Sequence, residues 1–206
     1  MSDIEMNEFY PSLLEVCKTM SRKGYKVFDS HKGLDLNIVG IRTNENKPDD
    51  FNDYICVFYR NQSSWSFHVF NATTDPSLYW LENPMKVQGT AILKANQYRG
   101  TFKIGKHRGQ YDALVQAKEV EVYRDPNRDA QLDLFETEKG FFGINIHRAS
   151  AHRSSKTVGK WSAGCQVIQC PVQYRIFMEL CKQSAKMFGP TFTYTLLEQN
   201  DFKDGV

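Results

Sequence analysis

The hydropathy pattern of this chain predicts a mostly-β domain with one helix near each end, an α+β arrangement. Three observations carry that expectation. Apolar residues recur at helical spacing over residues 7–23, at strand spacing or in short runs apolar on both faces from residue 25 to residue 168, and at helical spacing again after Pro171. The 206 residues suffice for one substantial core, and the expected division is an N-terminal helix over 1–24 and a single domain over 25–206.

In the first helix Phe9, Leu13, Val16, Cys17 and Met20 mark one buried stripe, and Gly24 is a natural stop. Residues 34–42 alternate and are rich in β-branched side chains, while residues 54–59 are apolar on both faces, as a central strand is. Asn61-Gln62-Ser63-Ser64 turns the chain into a hairpin partner over 65–72. Asp75-Pro76 opens a short helical turn or loop ending before Pro84. Further strands are expected at 89–93, 100–104, 114–115, 120–123, 141–146 and 165–168. Pro171 suits a first helical turn, Val172, Ile176, Phe177, Leu180, Cys181 and Ser184 form one face, and Gly189-Pro190 closes the helix. Residues 191–196 alternate strictly and read as a last, half-buried strand.

Hydrophobic content of 41% with 13% aromatic excludes a largely disordered chain. A net charge of +2 gives no global case for nucleic acid, and no nucleic-acid partner is expected. Five cysteines, an odd number at irregular spacing, do not form a disulfide framework. The first residues are acidic and polar and no run of 18 apolar residues occurs, so neither a signal peptide nor a membrane span is expected, and the chain reads as cytoplasmic when made.

The chemistry concentrates in one stretch. Ile144-Asn145-Ile146-His147 is an apolar strand that delivers an imidazole, and Ser162-Ala163-Gly164-Cys165 is a small-residue turn that delivers a thiol. Small residues let the backbone turn tightly and aim successive N–H groups at one point, here those of Gly164 and Cys165, as an oxyanion hole requires. Cys165 is the candidate nucleophile and His147 its base, taking the thiol proton and returning it to a leaving amine.

The order of the pair separates families. Papain-like and NlpC-type peptidases place the cysteine well before the histidine, whereas His147 precedes Cys165 here. A histidine, a gap of about fifteen residues and then Ser-x-Gly-Cys resembles the L,D-transpeptidase (YkuD-type) catalytic domain, with His147, Ser162, Gly164 and Cys165 on the motif. Ala163 stands where that family usually has histidine, Gln166 takes an apolar position, and Val167 replaces an Asn or Arg. The resemblance covers residues 89–168 in character and about twenty residues in detail. It implies a β-sandwich or barrel-like domain and a cysteine acyl-enzyme acting on peptidoglycan stem peptides. The acceptor would be an amine, or water as in a phage or prophage lytic enzyme; no cofactor is required, and a non-classical route would be needed to reach the cell wall.

Between the pair, Arg148, His152, Arg153, Lys156 and Lys160 occur without a single Asp or Glu. Such a loop lowers a nearby thiol pKa and attracts a carboxylate-rich peptide, so Arg148, His152, Arg153, Lys160, Trp161 and Ala163 are the expected substrate contacts. A second pattern, Asp125, Asn127, Asp129 and Asp133, sets oxygens at the spacing of an EF-hand-like calcium loop, although Ala130 stands at the glycine position and an Asx-rich turn fits equally. Two other readings compete with the enzyme: a cell-wall-binding module on the same fold, and a redox protein using Cys165 and Cys170.

Overall fold

The computed structural model describes residues 9–45 and 47–203. The first helix, α1 (Leu13–Arg22), starts later than its apolar stripe suggests. Of the stretch expected to precede it, residues 7 and 8 lie outside the described residues, and residues 9–12 are not helical. Pro11 disfavours helix at the residue before it, and the Ser12 hydroxyl caps the helix by accepting the Glu15 N–H at 3.3 Å.

There follow β1 (Asn37–Arg42), β2 (Asp53–Asn61), β3 (Ser64–Thr73), α2 (Leu78–Glu82), β4 (Thr90–Leu93), β5 (Asn96–His107), β6 (Tyr111–Gln116), β7 (Val120–Asp125) and β8 (Thr137–Gly140). The chain ends with β9 (Ile146–Arg148), β10 (Gln166–Ile168), α3 (Pro171–Phe188), β11 (Thr191–Glu198) and a 3-10 turn (Gln199–Phe202). Eight strands close a barrel in the order β1-β11-β5-β6-β9-β10-β3-β2, and β4, β7 and β8 form a separate antiparallel sheet. The protein is therefore mostly β, with one helix near each end. Among the described residues no helix is long and apolar enough to cross a membrane.

β1 and β2 are apolar on both faces because each face has its own partner. Ile38, Ile55 and Val57 join the main core, while Val39, Ile41, Cys56 and Phe58 pack under Val16 and Met20 of α1. Each such fully buried side chain contributes about 1.5–3 kcal/mol. α3 joins the main core through Tyr174, Phe177, Met178 and Cys181, with Phe177 edge-on to Phe70 at 6.2 Å. Two residues of the expected helix face, Val172 and Ile176, are instead 52% and 44% exposed. The helix is turned so that Tyr174 donates its hydroxyl to the Asp112 carbonyl at 2.6 Å, which sets the buried stripe on Tyr174, Phe177, Met178 and Cys181.

The strand expected over 141–146 is not formed as a unit; only Ile146 belongs to a ladder, at the start of β9. Gly143 takes φ +72°, and the N–H groups of Phe142 and Ile144 donate to the Gln116 side-chain oxygen at 3.1 and 3.2 Å instead of to a neighbouring strand.

Tyr194 on β11 and Gln166 on β10 belong to strands that are not neighbours, so their 2.7 Å hydrogen bond crosses the barrel interior. Gly40 makes room for it, since a Cβ there would stand 1.8 Å from the Tyr194 oxygen. The amide of Gln166 donates to the carbonyls of Thr74 (3.2 Å) and Gly164 (3.3 Å), tying the interior to the turn before Cys165. Beside it Arg42 is buried against Asp75 (2.6 Å) and Glu198 (3.1 Å), and Asp53 accepts from the Thr43 N–H (2.8 Å) and from the Thr74 N–H (2.7 Å) and hydroxyl (2.8 Å). A buried polar group left unpartnered is costly, and this network supplies partners across several strands.

Candidate active site

Side chains alternate along a strand, so with Ile146, Gln166 and Ile168 inward, His147 and Val167 face outward from the barrel. β9 and β10 run parallel with His147 opposite Val167, and the Gln166 N–H donates to the Asn145 carbonyl at 2.9 Å. This sets Cys165 beside Asn145, whose N–H approaches the Cys165 sulfur at 3.5 Å; the thiol also reaches the Gly143 carbonyl at 3.5 Å.

The turn that presents the thiol is fixed from three sides. The Ser162 hydroxyl lies 2.7 Å from the Asp75 carbonyl and 2.8 Å from the Cys165 carbonyl, and the Ser77 N–H donates to the Ser162 carbonyl at 2.9 Å. Gly164 adopts φ +111°, and a Cβ there would meet the Ala91 carbonyl oxygen at 2.2 Å. Only glycine fits. The expectation that Gly164 and Cys165 both aim N–H groups at an oxyanion needs one correction, because the Gly164 N–H donates to the Ser162 hydroxyl at 3.3 Å.

His147 is 1% exposed, and its protonation is legible from its neighbours. Nδ1 lies 2.7 Å from the Arg148 carbonyl, which can only accept, so the Nδ1 proton is assigned by that partner. The Tyr111 hydroxyl, 3.2 Å from the same nitrogen, donates to the same carbonyl at 3.3 Å. Nε2 therefore carries the lone pair and, among the described residues, accepts no hydrogen bond, from the Cys165 thiol or any other donor. Burial, and then the adjoining His107, lower the His147 imidazole to about 3. Burial raises the Cys165 thiol above its ordinary value, against the opposing pull of the Asn145 N–H and Arg108. The resting pair is thus a neutral thiol and a neutral imidazole, not the thiolate that a cation-rich loop was expected to produce.

The cleft that Cys165 opens into, about 210 Å³, lies between the barrel and the three-stranded sheet and is lined by Met85, Phe142 and Trp161 among its apolar walls. Its cations are Lys86, Arg108 and Arg124. Of the expected substrate contacts, Trp161 and Ala163 line this cleft and the others do not. Arg148 stacks on the Tyr111 ring at 4.0 Å and borders a groove along α3. Arg153 borders a separate depression with Lys156, Lys160 sits over the Tyr79 ring at 4.4 Å, and His152 is exposed. The loop is drawn away by Asp49, whose carbonyl and carboxylate accept the Val158 and Gly159 N–H groups at 2.8 Å each.

Sequence reasoning missed His107, Asn145 and Tyr111 as site residues. His107 closes β5, and its ring stacks on His147 with centroids 3.9 Å apart. Cys165 precedes β10 and Cys170 is the N-cap of α3 beyond it, both as free thiols.

In the loop joining β7 to β8, Asn127 donates to the Asp129 and Asp133 carboxylates at 3.0 and 2.7 Å, and Asp125 accepts the Asp133 N–H at 3.1 Å. At least one oxygen of each carboxylate is engaged by the loop's own donors, as in an Asx-rich turn. Among the described residues Asp125 Oδ1 is buried without a partner, and no group of three or more His, Cys, Asp or Glu is placed to hold a metal ion. No family model, curated protein or solved structure matches this chain.

Proposed function

We propose that this protein is a cysteine acyltransferase or peptidase of L,D-transpeptidase type, acting on peptidoglycan stem peptides or similarly carboxylate-rich peptides through a Cys165 thioacyl-enzyme. One observation carries the reading: a Cys165 thiol facing a cleft and held at the Asn145 N–H, two residues before an imidazole whose Nδ1–H is locked onto the Arg148 carbonyl so that Nε2 keeps its lone pair. Because the resting pair is neutral and makes no direct hydrogen bond, the thiol and Nε2 must approach before the Cys165 proton passes to His147 as the sulfur–carbon bond forms. Collapse of the tetrahedral intermediate breaks the carbon–nitrogen bond, and the proton held at His147 leaves with the amine. Water or a second amine then attacks the thioester and restores the thiol.

Substrate choice follows from the cleft. Lys86 and Arg108 supply the cleft's positive charge, Arg124 being paired with Glu138 at 2.6 Å, and they favour a peptide bearing free carboxylates. A cavity of about 210 Å³ is too small to enclose a whole peptide, so the reacting bond enters while the rest of the chain runs along the surface.

The test uses purified sacculi incubated with the wild type and with Cys165→Ala, with released muropeptides followed by mass spectrometry. New or cross-linked muropeptides from the wild type alone are expected. Identical profiles would remove the enzyme reading, and sacculus binding retained by both proteins would then favour the cell-wall-binding module.

A further inference from the structure

His107 and His147 are stacked, but their surroundings assign them opposite protons. The chain of assignment starts at a backbone. The Gln116 N–H, which can only donate, points at the Asn145 side-chain oxygen at 3.1 Å. This fixes the Asn145 amide, so its NH₂ group faces His107 Nδ1 at 3.1 Å and must be the donor there. His107 Nδ1 is consequently the acceptor, and the proton of this neutral ring lies on Nε2. Burial, followed by Arg108 and Arg148, lowers the His107 imidazole to about 4, which keeps the ring neutral near pH 7. Among the described residues Nε2 makes no hydrogen bond, yet unlike His147 Nε2 it is not a sealed, partnerless atom, and His107 lines the cleft together with Cys165. Asn145 spans the two, with its N–H on the Cys165 sulfur and its amide on the His107 ring.

We propose that His107 is a second catalytic residue, donating its Nε2–H to the carbonyl oxygen that gains negative charge when the Cys165 sulfur attacks. The inference rests on the acyl-transfer reading above. Sulfur–carbon bond formation moves the carbonyl π pair onto oxygen, and His107 stabilises that oxygen by hydrogen bonding without giving up its proton. The proton that travels is the thiol's, held at His147 and passed to the leaving group. One ring is the base and the other the fixed donor, which also makes up for the Gly164 N–H used inside the turn.

Two reagents separate this role from mere support of His147. p-Nitrophenyl acetate acylates the thiol through an oxyanion, whereas iodoacetamide alkylates it without one. His107→Leu is expected to slow Cys165-dependent nitrophenolate release by about 10²-fold, leave iodoacetamide alkylation of Cys165 unchanged, and keep a native near-UV circular dichroism spectrum. His107→Gln, which retains an N–H donor, should recover part of the loss. His147→Gln should slow both reagents. Equal slowing of both by His107→Leu, or no change in acylation, overturns the inference while leaving the nucleophile standing. Nitrophenolate release that is the same in the wild type and Cys165→Ala overturns the acyl-transfer reading itself, and the role of His107 with it.

Discussion

At Gly164 one methyl group decides how the thiol is presented. The residue combines φ +111° with a backbone oxygen 2.2 Å from where a Cβ would stand, and that oxygen belongs to β4, which forms the far wall of the cleft. Gly164→Ala is expected to cost about 1–3 kcal/mol from backbone strain alone and to push the turn off Ala91. Urea denaturation should read the destabilisation, and iodoacetamide labelling should show a changed Cys165 rate. A variant with wild-type stability and labelling would mean that the turn has room the structure denies it. At the same scale Ala163 lines the cleft together with His107 from β5, and Gln166 is polar because its amide joins Tyr194 to the Gly164 carbonyl.

The hydrogen bond between Gln166 and Tyr194 is the point where the elements of the barrel act on the site. Tyr194→Phe leaves the Gln166 side-chain oxygen buried without a donor, a loss of about 1–3 kcal/mol. Because the same amide holds the Gly164 carbonyl, acyl transfer should fall together with stability, as urea denaturation and nitrophenolate release would register. What the sequence reveals follows the range of the forces involved. β2 is legible because apolar residues on both faces reflect two partners, the core and α1, whereas β1 reads as alternating and is buried on both faces. Pro171 and Gly189 mark the limits of α3, but its buried face depends on Tyr174 reaching Asp112, a contact between distant residues. Residues 141–145 look like a strand because they are apolar, and only Gly143 signals that their N–H groups turn to Gln116 and the Cys165 sulfur. Cys165 and His147 stand out because a short motif holds both. His107 does not, because its approach to His147 depends on the β5, β6 and β9 pairings.

Closing eight strands into one barrel places two imidazoles in sparsely hydrated positions, and the stability of the whole molecule should record it through pH. His147 titrates near 3 and His107 near 4 in the folded chain, both below the 6.5 of an unperturbed histidine. Above pH 6.5 folded and unfolded chains alike hold these rings neutral, and the full stability is present. As pH falls below 6.5 the unfolded chain binds protons that the folded chain refuses, so stability is lost down to about pH 4 for His107 and about pH 3 for His147. The slope approaches about 1.4 kcal/mol per pH unit for each ring, or about 2–4 °C in Tm for every kcal/mol in a domain of this size. Asp53 acts in the opposite sense, since burial and then Asp75 raise its pKa, so acidification relieves a cost there. The two contributions separate by difference. Subtracting the Tm-against-pH curve of His147→Gln from that of the wild type cancels Asp53 and leaves the histidine, and the difference should grow steadily in the variant's favour from pH 6.5 to pH 4. A flat difference would show that His147 takes up its proton alike in the folded and unfolded chains, titrating near 6.5 and not near 3.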